Sequence, residues 1–379
     1  MKIIHVLWSL GRGGAERFVL DLATEQQKEH EVCIVAICGG DMQALFTDQG
    51  LEVIVLGKQP HSFRERFQIV EQCKKLFREH RPDVVHTHLG ADVWAGYFAA
   101  RPLKISWIMT AHSHEPELGF LTRTLRFFAY RSARVVVAIS QSVRDMVIWR
   151  YGISEQRLHV VPVGIRIERF EQRERHQAGD IPKLVIVGRL SQEKGHEVLL
   201  DALALLHRPW FLTVVGDGPL RLSLQRQSER LGIAPRIRWV GAVNDPSYFL
   251  TTADLFCMPS WNEGQGIALL EAAASRLPAI ASDLPAIREV FDRRSMVLVP
   301  PGDSESLSRA IHQSLSQYTE ALDRADLAAE PIRGFRGWPS DQKQDLLFRV
   351  VSGIKGSRAG ISQQRDDSDL PPALRAARD

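Results

Sequence analysis

Cysteine is scarce in this 379-residue chain. There are four, Cys33, Cys38, Cys73 and Cys257, and no CxxC pair, which excludes a zinc ribbon or a dithiol redox motif. Cys33 and Cys38 fall in the apolar run "VCIVAIC" and Cys257 in "LFCMPS". Buried thiols in a reducing compartment are therefore expected. Charge of one sign is also lacking. A formal net charge of +3 gives no case for a nucleic-acid partner. No apolar run approaches the roughly 18 residues needed to span a bilayer. The opening "MKIIHVLWSLGRGGAER" has a short apolar run and no small-residue cleavage site, so it reads as a first core strand and not a signal peptide. A cytoplasmic protein is expected. Two nucleotide fingerprints are missing too. "GKQ" at Gly57 lacks the hydroxyl residue of a Walker lysine motif. In "GRGGAER", Glu16 stands where a dinucleotide fingerprint needs glycine or alanine.

What is present is alternation. "KIIHVLW", "EVCIVAI", "LEVIVL", "DVVHTH", "KISWIMT" and "RVVVAIS" are continuous apolar runs separated by segments of helical period. One such segment has a stripe at Phe18, Val19 and Leu22, and another runs over about Glu65 to Glu79. Strands of this kind belong to parallel sheets covered on both faces. The pattern breaks over 166–182, "RIERFEQRERHQAGDIP", which is polar and reads as a linker. It restarts with "KLVIVG", "FLTVVG", "IRWVG", "DLFCMPS", "PAIAS" and "MVLVP". The expected fold class is α/β, with two Rossmann-like doubly wound domains, 1–165 and 183–338, facing each other across a cleft. A helix over 339–354 and a disordered tail over 355–379 complete the expectation.

Chemistry-bearing residues cluster where strands end. In "GRGGAER", Gly13 and Gly14 let backbone approach a ligand at a helix N-terminus; the alternative is a plain strand-to-helix turn. "VGRLSQEKG" ends a strand at Gly188 and places Arg189 and Lys194 in the loop that follows. A fork and a point charge beside a helix N-terminus suit a diphosphate; two solvated basic residues are the plainer reading. In "MTAHSHE", His112 lies just past a strand end, with His114 competing at the same loop. Two roles stay open for His112: a hydrogen bond to a sugar hydroxyl, or charge stabilisation near a reacting carbon. "HTH" adds His86 and His88, but the spacing of these four histidines matches no helical or zinc-finger pattern, so no metal is expected. In "SWNEGQGIALLEAAAS", Glu263 precedes a helix and Glu271 lies inside it, so they are not a helix-face pair. The amides of Gly264, Gln265 and Gly266 would point where Glu263 points, and Ile267 opens the helix. Asp367 and Asp369 form a DxD triplet in the tail, where a solvated acidic run is expected.

"GGAER", "MTAHSHE", "VGRLSQEKG", "VVGDGP" and "EGQGIALLE" follow in order, each at a strand's carboxyl end. With these the chain resembles the retaining glycosyltransferases of family four, of GT-B architecture, over roughly residues 1–353. The resemblance implies roles. Arg189 and Lys194 match the pair gripping the donor diphosphate, Glu271 the acid binding the ribose, and Glu263 the acid contacting the donor sugar. His112 matches the histidine beside the reacting sugar, and Gly13 and Gly14 the loop over the donor phosphates. The helix of 339–354 would cross back onto the first domain. The class needs no metal, and no protein nucleophile is established in it. The implied reaction is transfer from a UDP- or GDP-sugar to a hydroxyl; a nucleotide-sugar epimerase and a non-catalytic nucleotide-sugar binder are the alternatives. Three positions depart from the family: Val163 for a frequent asparagine, Arg276 for a common helix-ending glycine, and Gln265 for a frequent aromatic.

The acceptor is less determined. "FLTRTLRFFAYRSAR", Phe120 to Arg134, carries four arginines and no acid among aromatics. It reads either as a segment lying on an anionic membrane or as a core helix with arginines facing solvent or the cleft, the second being preferred. With the family's habits, this suggests a glycan or lipid-linked acceptor in polysaccharide or lipopolysaccharide biosynthesis.

Overall fold

The structure is a computed structural model that describes residues 1–332 other than 89, 116–118, 166 and 171–177. The expected helix of 339–354, the tail of 355–379 and part of the 166–182 linker lie outside the described residues.

Two parallel sheets form. The first comprises β1 (Lys2–Ser9), β2 (Glu31–Cys38), β3 (Glu52–Gly57), β4 (Val84–His88), β5 (Ser106–Ala111), β6 (Val135–Ala138) and β7 (Leu158–Val160), in the order β3-β2-β1-β4-β5-β6-β7. The second comprises β8 (Lys183–Val187), β9 (Phe211–Val215), β10 (Ile237–Gly241), β11 (Leu255–Met258), β12 (Ala279–Ser282) and β13 (Val297–Val299), in the order β10-β9-β8-β11-β12-β13. Burial explains the continuous apolar runs: Val32 to Ile37 of β2 and all of β11 are inaccessible to solvent because helices cover both faces.

Strand order reverses between β1 and β4 in one sheet and between β8 and β11 in the other. A reversal sends consecutive connections to opposite faces, which opens a crevice at the carboxyl ends of the flanking strands. The loops "GRGGAER", "GRLSQEKG" and "SWNEGQG" leave β1, β8 and β11 at these two crevices. His88 closes β4, and His112 follows β5 beside it.

Local chemistry corrects several expectations. The helix expected from Glu65 starts at Phe63, because Ser62 accepts from the Glu65 amide while the Glu65 carboxylate bonds the Ser62 amide. That reciprocal cap fixes the first turn two residues earlier. The segment Asp92–Ala100 winds as a wide π-helix. Gly96 within it lies against the Trp107 indole, where a Cβ would collide.

The helix Phe120–Ser132 packs Ala129 and Tyr130 inward and turns Arg123 and Arg131 to solvent, but it also exposes aromatics. Phe120 is 86% exposed, and Leu121, Phe127 and Phe128 share that outward face. Arg126 instead turns inward to the Glu115 carboxylate. Tyr130 stacks on Tyr151 with ring centroids 4.1 Å apart, and both phenols donate to Glu115.

At the end of Ile267–Ala274, Arg276 has φ +52°, the left-handed conformation that favours glycine. Its ion pair with Asp326 at 3.4 Å is exposed at both ends and contributes little. Arg276→Gly should therefore raise stability by up to about 1 kcal/mol. In a thermal melt that appears as a rise of about 2–4 °C; an unchanged or lower midpoint would contradict the strain.

Candidate active site

The two domains meet through glycines. A Cβ on Gly264 would strike the His112 carbonyl and the Ile139 side chain. A Cβ on Gly14 would strike Ile267. Only bare backbone lets the loops after β1, β5 and β11 close this far. Gly266 has φ +75° and faces Ile287 and Met258, so the turn into Ile267–Ala274 also depends on glycine. Neither Gly13 nor Gly266 caps its helix with a side chain.

Polar ties hold the halves together. The Glu289 carboxylate accepts from the amides of Gln141 and Ser142, at 2.8 and 2.5 Å. Arg12 donates to the Ala242 carbonyl at 2.6 Å, and Asn262 to the His114 carbonyl at 3.3 Å. Gln265 is buried, accepts from the Val163 amide at 2.6 Å and donates to the Val163 carbonyl at 3.1 Å. Its side chain is consumed by backbone pairing, and the partner backbone belongs to Val163.

Glu263 and Lys194 form the charged centre. The Lys194 ammonium donates to both Glu263 oxygens, at 2.8 and 2.9 Å, and Ser260 donates to one of them at 2.7 Å. Glu263 is buried, and a buried carboxylate with three such bonds is fixed in place. Gly195 at φ +63° rests on the Pro259 carbonyl, and the Trp261 amide donates to the Glu193 carbonyl at 2.9 Å. These contacts lock the Lys194 loop onto the Glu263 loop. The Lys194 stem passes over Gly188, and Arg189 beside it is exposed.

Two acids are pushed towards neutrality. Burial raises Glu271 to about 7, against the pull of Arg17 and Arg169 and with the push of Asp245 and Asp21. Burial likewise raises Glu16 to about 7, countered by its own backbone hydrogen bond and by Arg189. The sequence treated Glu16 only as a fingerprint breaker. An acid at the first turn of the glycine-loop helix was the available signal. His112 goes the other way: burial lowers it to about 3, so it is a neutral imidazole at physiological pH. Its Nε2 lies 3.0 Å from Nδ1 of His88. His114 sits apart from it, 3.1 Å from the Ser142 hydroxyl.

Residues 168–330 match the family model described as Glycosyl transferases group 1, and residues 12–169 match Glycosyltransferase Family 4. The chain belongs to the family-four glycosyltransferases. It is 29% identical over 320 residues to the GDP-mannose-dependent alpha-(1-6)-phosphatidylinositol monomannoside mannosyltransferase of Mycolicibacterium smegmatis, covering 76% of this chain and 81% of that one. Among solved structures, Anabaena HepE in complex with UDP and glucose superposes with a TM-score of 0.79 at 20% identity, over 94% of this chain and 99% of that one. WaaG, a glycosyltransferase involved in lipopolysaccharide biosynthesis, superposes with a TM-score of 0.73 at 20% identity, over 93% and 100%. The architecture is GT-B, as the resemblance implied. No helix among the described residues is long and apolar enough to cross a membrane.

The raised acids have a measurable cost. The folded protein keeps a proton on Glu271 that the unfolded chain gives up. Ionising it therefore destabilises the fold, beginning as pH rises past about 4.5 and complete above about 7. The stability advantage of Glu271→Gln over wild type should grow across that window and then level off. Urea titrations at several pH values check this; a pH-independent difference would show that Glu271 titrates normally.

Proposed function

We propose that this glycosyltransferase moves a sugar from a UDP- or GDP-activated donor to a hydroxyl acceptor, with retention of anomeric configuration and without a metal. The observation that carries the reading is the Lys194–Glu263 pair, locked between the two loops that leave the second domain's crevice. An ammonium has three protons, and Glu263 takes two directions of contact. The remaining donor capacity, with Arg189 and the helix N-terminus behind Gly13 and Gly14, is available to a diphosphate. Glu271 takes the ribose hydroxyls and Glu263 the donor sugar, with the amides of Gly264, Gln265 and Gly266 beside it. A relative that is GDP-mannose-dependent and a structural neighbour seen with UDP and glucose support a nucleotide-sugar donor without choosing its base.

In the reaction the bond from the anomeric carbon to the diphosphate oxygen breaks, and one from that carbon to the acceptor oxygen forms on the same face. The hydroxyl proton passes to the departing phosphate side, and no protein nucleophile is invoked. The charge that grows is on the leaving phosphate, which Lys194 and Arg189 offset. His112, neutral at working pH, fits a hydrogen bond to a sugar hydroxyl better than a second positive charge beside a cationic carbon.

Lys194→Ala and Glu271→Ala should each lower transfer at least about a hundredfold, in line with loss of one oriented charged contact in a closed site. Full activity in Lys194→Ala would remove the diphosphate argument. Donor choice can be measured by thermal shift over UDP-, GDP- and ADP-sugars, because a donor held in the closed cleft raises the melting temperature. Product without acceptor would favour the epimerase, and nucleotide binding with no turnover on any acceptor the non-catalytic binder. Loss of transfer on adding EDTA would overturn metal independence, and an inverted anomeric proton coupling in the product would overturn retention.

For the acceptor we propose a glycan or lipid-linked intermediate in polysaccharide or lipopolysaccharide biosynthesis, met at the inner face of an anionic membrane. The outward aromatics Phe120 and Phe128, with Arg123 and Arg131 on the same helix, support peripheral contact. Co-sedimentation with anionic vesicles should be lost in Phe120→Ser/Phe128→Ser. Binding indifferent to anionic lipid would end the membrane reading.

A further inference from the structure

Behind the cleft, a file of ring nitrogens runs through the first sheet. His5 of β1 is the register partner of His86 of β4, and His88 of β4 is the partner of Thr110 of β5. The two-residue period then puts His5, His86, His88, Thr110 and His112 on one face, under the helix Gly14–Gln26. His5, His86 and His88 are essentially inaccessible to solvent. Three contacts link up end to end. Nε2 of His5 lies 2.7 Å from Oε1 of Gln26, Nδ1 of His5 lies 3.1 Å from Nε2 of His88, and Nδ1 of His88 lies 3.0 Å from Nε2 of His112. His86 stands outside the file, with its Nε2 on the Thr110 hydroxyl at 2.7 Å.

Burial lowers the pKa of His5 to about 4 and of His112 to about 3, and takes His86 and His88 well below the usual range. Each ring is then neutral, with one N–H and one lone pair. A contact between two ring nitrogens holds one proton. Once the first donor is fixed, every later one is fixed too. An amide oxygen only accepts, so Nε2 of His5 donates to Gln26. Nδ1 of His5 then accepts from Nε2 of His88, and Nδ1 of His88 accepts from Nε2 of His112.

We propose that Gln26, acting through His5 and His88, sets the tautomer of His112: proton on Nε2, lone pair on Nδ1. Gln26, His5 and His88 are positioning residues. They leave His112 a hydrogen-bond acceptor at its remaining nitrogen, one that receives a hydroxyl proton and rejects a carbonyl. That use rests on the role proposed for His112 in donor binding; the tautomer itself does not.

Long-range proton–nitrogen spectra of the full, ¹⁵N-labelled, ligand-free chain test it without any donor or turnover. In the wild type, His112 is expected to show a protonated Nε2 and an unprotonated Nδ1. Gln26→Leu removes the anchor and leaves both directions open, so a population with Nδ1 protonated should appear. His5→Phe cuts the file one step later and should do the same. Thr110→Val disturbs only His86 and should leave the His112 signals unmoved. A protonated Nδ1 in the wild type overturns the proposal, and this needs no variant to fold. So does an unchanged His112 tautomer in well-folded Gln26→Leu and His5→Phe proteins. Elemental analysis adds a third arm. His5, His86 and His88 each bring a ring nitrogen within 4.8 Å of the others. A stoichiometric transition metal there would occupy the lone pairs that the file requires, and would overturn it.

Discussion

The bare backbone of Gly264 resting on the His112 carbonyl sets the distance between the two halves of this protein. A parallel sheet delivers its loops to one end, and two such sheets make a site only if those ends come together. Gly14 against Ile267 is the second contact of this kind. With these spacings fixed, the Gln265 amide can reach the Val163 backbone and Glu289 can reach the helix at Gln141. A side chain at 264 would meet the His112 carbonyl, hold the halves apart and break those longer-range ties together.

Closure at that distance is expensive for charge. It desolvates Glu16 and Glu271 enough to bring both near neutrality, while Glu263 stays paired with Lys194. The difference is one of partners. Glu263 has a cation at 2.8 Å and a hydroxyl at 2.7 Å, whereas Glu271 has Arg17 and Arg169 opposed by Asp21 and Asp245. A carboxyl kept near its protonation point can donate or accept towards a hydroxyl-bearing ligand. Glu263, held by Lys194 and Ser260, is fixed in place and orients what it meets.

Much of this was legible in one dimension. The strands were readable because a sheet covered on both faces demands unbroken apolar runs. Arg276 was suspect because a helix ending there asks for a left-handed residue, and its φ is positive. Other features were hidden for physical reasons. Lys194 and Glu263 are 69 residues apart, and no periodicity links residues on different strands. His5 sits inside a hydrophobic run, where it reads as a tolerated interruption. The engagement of the Gln265 side chain was hidden as well, because the backbone it satisfies comes from 102 residues away. The outward set of Phe127 and Phe128 was not visible in the sequence, because aromatics are usually buried. Their exposure follows from Arg126 and Tyr130 turning inward to satisfy Glu115, which forces the opposite face of the same helix outward.

The charge pattern across the cleft is asymmetric. The second domain brings Lys194 and Arg189 to one side, and the first brings His112, which burial keeps uncharged. A leaving diphosphate gains negative charge while the sugar carbon becomes cationic. A cation beside that carbon would raise the barrier at the same centre whose leaving group the second domain assists. In the proposed reaction a neutral His112 avoids that penalty, and burial against Phe18 and His88 keeps it neutral. A neutral imidazole must still present either a proton or a lone pair. A ring bonded only to water would sample both. Bonding one nitrogen into the interior removes that freedom, so the hydrogen-bonding character of the cleft is decided by groups that never touch a ligand.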